Sequence, residues 1–397
     1  MSAPLDGTLV VDLTRLLPGP LATRLLADLG ARVVKVEEPS LGDPVRMAPP
    51  QKGGVGTLGA LLLGGVESVA LDLKREPARE VLTALLERAD VLVESFRPGT
   101  LARLGFPPDE LLERHPRLVV ASLSGWGQDG PRAGRAGHDL TYQAIAGTLA
   151  PSARMPPVPL ADLAGAWSAA LAITAALLRR ERTGRGGRVD ASLYDGALAA
   201  NLTNWAEESA ASHPVGKRLA LSGALPCYNL YATADGGYVA LACLEPHFWE
   251  AFCDAVERPD LVKRQFEIGV EARRAVQELI GSRSRDHWAA LGEQHDLPLD
   301  PVLSAGEALE EPQSLRRAVV GHAEDGGLRV AFPAKLDGER PQGGEKVPKL
   351  GAQTDDWLDE LGIEMGRGDR KRGGIGTRRA VKRAAARWAM RRKGPRL

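Results

Sequence analysis

The chain has 397 residues, of which 44% are apolar and 26% charged, and its formal net charge is zero. That balance is typical of a globular protein and excludes a fibrous or wholly disordered chain. The length suits two domains, or one large domain with a smaller one inserted. The charge is unevenly spread: from Met365 onward thirteen Lys/Arg stand against one Asp, so the preceding body is acidic by about a dozen charges. No aromatic interleaving or nucleic-acid module accompanies this basic tail, so it reads as an extension that the catalytic body does not need, and nucleic acid is not an expected partner. Cys227, Cys243 and Cys253 show no CxxC or CxxH spacing, which argues against a zinc site and against a disulfide framework. Charges or prolines interrupt every apolar run before the roughly 20 residues that cross a bilayer, and MSAPLDG lacks the basic and apolar regions of a signal peptide. A cytoplasmic location is therefore expected, with no membrane partner.

In chain order, LVVDL (Leu9–Leu13) predicts a strand, and after the turn Leu17-Pro-Gly-Pro20 the spacing over Leu21–Leu29 predicts a helix stopped by Gly30. Strands are expected at Val33–Val36 and Val69–Leu73, a helix at Ala78–Arg88, and strands at Val91–Val93 and Leu118–Ser122. Strands separated by helices of this length imply βαβ units and a mostly parallel sheet. No GxGxxG follows the first strand, so a dinucleotide site is unsupported. A long Ala/Leu-rich helix is expected from about Leu163 to Arg180, a strand at Val189–Leu193 and a helix through Ala197–Ala211. The texture changes over residues 224–313, which read as a smaller domain containing a strand at Tyr238–Cys243. The boundaries expected are thus 1–223 and 314–363 for the large domain, 224–313 for the small one and 364–397 for the tail. A strand near Leu328–Phe332 and a helix at Thr354–Leu361 complete the chain before that tail.

Three residues carry chemistry in more than one reading. Asp162 follows the proline-rich run Pro156-Pro-Val-Pro159 where a helix begins, which marks it as an N-cap worth about 1 kcal/mol. The N–H groups and positive dipole end of such a helix start also suit an oxyanion. His138, between Gly137 and Asp139, is by itself a solvated loop residue, and Glu245 a carboxylate at a strand end before Pro246.

Several stretches resemble the class III CoA-transferases of the CaiB/BaiF type: Pro4–Arg46, VALDLK (Val69–Lys74), ESFRPGTLARLGF (Glu94–Phe106), GHDLTYQAIAG (Gly137–Gly147) and GRVDASLYDGAL (Gly187–Leu198). Further matches are ADGGYVALACLEPHFW (Ala234–Trp249), PVLSAGEAL (Pro301–Leu309) and PKLGAQTDDWL (Pro348–Leu358). They run in order over nearly the whole chain, and the GHDxxY and LEPxF contexts are similar to the α-methylacyl-CoA racemases of that family. The resemblance implies an α/β fold with a Rossmann-like large domain built from both chain ends, a smaller middle domain, and an interlocked homodimer. It implies Asp162 as the catalytic residue and His138 as a base at the substrate α-carbon, supported by Glu245. An imidazole with a pKa near 6.5 accepts and returns a proton near neutrality. The same resemblance places Arg46, Lys74, Arg97, Gly137, Asp139 and Tyr142 around the CoA thioester. It implies no cofactor, coenzyme A being part of the substrate. The function so implied is epimerisation of a 2-methylacyl-CoA. The alternative is CoA transfer between carboxylic acids through an acyl anhydride on Asp162. Two departures stand out: Glu38 where racemase-like relatives carry arginine, and LLGGVE (Leu62–Glu67), which lacks the usual basic residues.

Overall fold

The computed structural model describes residues 3–150, 154–209, 221, 223–323 and 326–364; the basic tail from Met365 lies outside them. The chain divides into two units, one running to Asn201 and resuming at Leu315, the other spanning Leu202–Ser314. The first division thus falls at Asn201 rather than at residue 223. Asn201 explains it: its amide donates to the Ala146 carbonyl at 3.0 Å, which anchors the end of the preceding helix in the first unit. The helix expected over Ala197–Ala211 accordingly breaks into Leu193–Ala200 and Leu202–Ser209, and residues 210–211 fall outside the described ones.

The first unit is built on β1 (Leu9–Leu13), α1 (Pro18–Asp28), β2 (Arg32–Glu37), β3 (Glu67–Ala70), α2 (Glu76–Arg88), β4 (Val91–Glu94) and β5 (Val119–Ser124). Then come α3 (Asp139–Ile145), α4 (Leu160–Thr183), β6 (Gly187–Ser192) and α5 (Leu193–Ala200). All six strands pair in parallel, in the order β3-β2-β1-β4-β5-β6. This is the strand order of doubly wound dinucleotide-binding sheets, whose ligands sit beyond the carboxyl ends of the strands where the order reverses, here between β1 and β4. Successive strand residues serve opposite faces. Val11, Val34, Leu92 and Val120 pack on one side with α2 and with Trp357 and Leu358 of the C-terminal helix Thr354–Leu361. Val10, Val33, Val91 and Val119 pack on the other with Leu26 of α1 and Ile173 of α4. Burial of both faces is why these strands read as continuous apolar runs.

Helix α4 corrects one expectation. Between Asp162 and Arg179 no charge interrupts it, and by length and composition alone it is apolar enough to cross a membrane. Its 18-residue window has a mean hydropathy of 1.5 and is 44% buried. Ala166, Ala169, Ile173 and Leu177 form its core-facing stripe, and the small alanines let it lie close to the sheet and to α5.

The second unit holds a three-stranded antiparallel sheet of β7 (Tyr228–Ala232), β8 (Tyr238–Ala242) and β9 (Leu299–Pro301), with β8 central. Its core gathers Trp249, Phe252, Trp288 and all three cysteines. The cysteines are free and buried, and burial pushes Cys243 and Cys253 up to about 12, so neither supplies a thiolate.

Candidate active site

The carboxyl edge of the six-stranded sheet collects nearly every residue singled out in the sequence. Because α4 returns the chain from β5 to β6, its first turn lies at that edge and brings Asp162 there. Asp162 is not the N-cap. The helix begins at Leu160 behind Pro159, and the capping acceptor comes from another element. Asp139, opening α3, accepts from the backbone N–H of Ala161 at 2.8 Å and of Asp162 at 3.1 Å through the same oxygen. The N–H of Leu163 goes to the Pro159 carbonyl. The helix start therefore does not offer the free donors for an oxyanion that its position in the sequence suggested. What it offers is a pair of close carboxylates, one as cap and one half-buried.

That pairing sets the electrostatics. Burial, and then the Asp139 charge, push Asp162 up to about 7, and no hydrogen bond to its carboxylate offsets them. Asp162 thus exchanges a proton near neutral pH, an unusual property for an aspartate and one expected of a group that does acid–base work. Asp139 had been expected to touch substrate; here it caps α4 and tunes its neighbour.

Tyr142, on α3, is 5% exposed and packs edge-on against Trp126 with ring centroids 4.8 Å apart. Burial and the Asp162 charge raise its phenol, while Arg97 works the other way, so all three lie close together. Gly125 and Gly137 exist to admit this ring: a Cβ at either position would overlap Tyr142. Gly137 is thus a spacer rather than a substrate contact. His138 caps α3 through backbone and Thr141: its N–H donates to Thr141 Oγ1 at 3.0 Å, and its imidazole side is exposed.

The cations expected to hold the nucleotide divide. Arg97 and Lys74 are exposed at the carboxyl edge, after β4 and β3. Lys74 lies near Glu38, which Ser40 and Leu41 also hydrogen-bond, and these contacts hold the Glu38 carboxyl below its usual value against its partial burial. Arg46 is not available. Its guanidinium forks onto Glu37 at 2.7 and 2.6 Å and donates to the Pro348 carbonyl at 2.7 Å, pinning the returning chain to the first unit. LLGGVE also has a structural cause for lacking bulk, since Gly65 lies against Gly344 of that returning segment and a Cβ there would overlap it. Glu245 belongs to the second unit, exposed at the start of the helix Pro246–Ala255.

Sequence reasoning missed a buried cluster behind the site. Lys35 on β2 is wholly buried, 3.3 Å from Asp12 and 3.1 Å from Asp43, and donates to the Thr14 carbonyl at 2.8 Å. Asp43 in turn accepts from the N–H of Leu16, a non-glycine residue at φ 70 in the turn between β1 and α1. A lysine within RVVKVE looks like the polar half of a strand. The signal available was that both faces of that strand had to be covered. Among the described residues, no group of three or more His, Cys, Asp or Glu could hold a metal ion.

Comparison with known proteins agrees with this geometry. The sequence profile of CoA-transferase family III matches residues 5–354. An acetyl-CoA:oxalate CoA-transferase of Acetobacter aceti is 33% identical over 88% of this chain and 94% of its own length. An alpha-methylacyl-CoA racemase of Homo sapiens is 32% identical over 90% of this chain and 94% of its own. A CAIB/BAIF family protein from Brucella suis, solved by crystallography, superimposes with a TM-score of 0.79 at 28% identity, covering 91% of this chain and all of that one. Mixed α/β architecture around a parallel sheet, a carboxylate pair at its carboxyl edge and matches spanning nearly the whole chain lead to one conclusion: the chain belongs to CoA-transferase family III.

Proposed function

We propose that the chain racemises 2-methylacyl-CoA thioesters by 1,1-proton transfer. His138, with Glu245 on its second nitrogen, takes the α-proton from one face. The neutral carboxyl of Asp162 gives its own proton to the other face of the enolate, and the reverse reaction exchanges the roles. The observation that carries this reading is Asp162 held at about 7, so that protonated and ionised forms are both present at neutral pH. A general acid works best with a pKa near the operating pH, whereas a nucleophilic carboxylate needs only to be ionised. The racemase relative supports the reading. The second reading, a CoA-transferase in which Asp162 attacks the thioester, has the support of relatives named for CoA transfer to oxalate or mesaconate. The test is incubation of a chiral 2-methylacyl-CoA in deuterated water. Racemisation with deuterium at C2 is expected, and His138→Ala and Glu245→Ala are each expected to slow it 10²-fold or more with folding intact. Near wild-type rates in both variants would refute the two-base assignment.

The working form we propose is an interlocked homodimer in the cytoplasm. Supporting it, α4 turns an apolar stripe outward: Trp167, Leu171 and Leu178 are 50%, 72% and 55% exposed in the single chain. Such a stripe marks a contact surface. Sedimentation at micromolar concentration is expected to show dimer alone, because threaded chains separate only by unfolding. A stable folded monomer would contradict it.

A further inference from the structure

The first unit sets out its chemistry in strand order along the carboxyl edge. Lys74 follows β3, Arg97 follows β4, and Asp162 opens the helix joining β5 to β6. An acyl-CoA with its phosphates toward Lys74 and Arg97 and its thioester at Asp162 sends the far end of its acyl group on toward β5 and β6. What stands there is not a plain apolar slot. Trp126, just beyond β5, packs against Tyr142 and, at 5.4 Å between centroids, against Tyr194 beyond β6. Arg132 lies over the Trp126 ring, its guanidinium carbon 5.3 Å from the centroid. Among the described residues no carboxylate pairs with it. Two donors beside it are equally unmatched: Trp126 Nε1 and Ser124 Oγ are buried without a hydrogen-bond partner, in side chains of residues 8% and 6% exposed.

An indole N–H and a guanidinium only donate, and a hydroxyl donates readily. A buried donor without a partner costs about 1–3 kcal/mol, so a collection of them beside an unpaired arginine calls for an acceptor. The acceptor that suits a guanidinium fork is planar and bidentate, which is a carboxylate. We propose that Arg132, with the Trp126 and Ser124 donors, forms a subsite for a carboxylate at the far end of the acyl group, so that dicarboxylic acyl-CoA thioesters are preferred over alkyl ones. The proposal rests on the reading that Asp162 meets an acyl-CoA.

Calorimetric titration of the full chain tests it. The ligands are succinyl-CoA and glutaryl-CoA, set against butyryl-CoA and valeryl-CoA of matching chain length. The wild type is expected to bind at least one carboxylate-ended thioester tenfold or more tightly than its methyl-ended counterpart. Arg132→Ala is expected to bring that ratio close to one while changing butyryl-CoA affinity less than twofold. Arg132→Lys, which keeps the charge and loses the fork, is expected to retain part of the preference. If the wild type binds both sets alike, the subsite is refuted while the acyl-CoA reading stands. If Arg132→Ala weakens both sets equally, Arg132 only covers Trp126 and the proposal falls. If neither set nor free CoA binds, the acyl-CoA reading itself fails, and the subsite with it.

Discussion

Asp162→Asn is expected to slow turnover of a chiral 2-methylacyl-CoA by 10²–10⁴-fold, the range that a positioned acid–base group contributes, while making the folded protein more stable near neutral pH. The stability half follows from the raised pKa. Between the ordinary aspartate value and about 7 the folded state holds a proton on Asp162 that the unfolded state has released. Wild-type stability therefore falls as pH rises through that window. Asparagine has no charge to confine, accepts and donates in nearly the same shape, and is not the helix cap, because Asp139 fills that role. The variant's advantage in melting temperature should be absent near pH 4, grow through pH 5 and 6, and stay level above about 7. A variant less stable than wild type at pH 8 would show that the Asp162 charge is compensated in the folded protein, and the acid–base reading would lose its basis.

The same residue separates the two chemistries. A proton shuttle never bonds to the acyl carbon. A transferase nucleophile attacks the thioester carbonyl, expels CoA thiolate and holds the acyl group as a mixed anhydride. Wild-type protein incubated with acyl-CoA, treated with hydroxylamine and digested is expected to yield an unmodified Asp162 peptide, with deuterium at C2 of the recovered thioester. Hydroxamate on that peptide, with CoA passed to an acceptor acid, would make the chain a transferase.

Much of this site was legible before any coordinates, and the part that was not has a common cause. Local pattern placed β1 and the helix Thr354–Leu361 at their observed ends, because apolar runs and turn residues are written in the segment itself. Pattern also put Asp162 at a helix start, but assigned it the cap, since a proline-rich run before an aspartate looks the same whether the acceptor is that aspartate or one 23 residues away in sequence. Arg46 went wrong for the same reason: nothing near it in the sequence announces a fork on Glu37 and a carbonyl at Pro348. The one-residue alternation of β2 told which side chains oppose each other, yet not that Lys35 faces two aspartates rather than water. Long-range polar pairing has no period, so it appears only once the strands are ordered.

Lys35→Met should accordingly destabilise the protein by about 3–5 kcal/mol, the usual cost of stranding a buried charge by removing its partner. Burial alone would strip the lysine of its proton, but Asp12, Asp43 and Glu37 outweigh it and hold the ammonium above its ordinary pKa. Such a group supports folding at every pH below the unfolded lysine value and loses that support only as pH climbs past the higher folded one. Methionine fills a similar volume, so the loss measured is mostly electrostatic: two carboxylates left together, Asp12 and Asp43, both 3% exposed or less. Their other duties magnify it. Asp12 accepts from the Thr14 N–H at 2.7 Å and the Thr23 hydroxyl at 2.9 Å, and Asp43 holds the Leu16 N–H at 3.0 Å. The Leu16 turn also reaches the Arg97 loop, since the Arg15 N–H donates to Ser95 Oγ at 3.2 Å. Urea unfolding at pH 7 gives the number, and adding Asp12→Asn and Asp43→Asn to Lys35→Met should recover part of it by removing the stranded charge. A loss below about 1 kcal/mol would mean that the two aspartates take up a proton or reach water at little cost, and that backbone contacts alone fix the turn where the sheet order reverses.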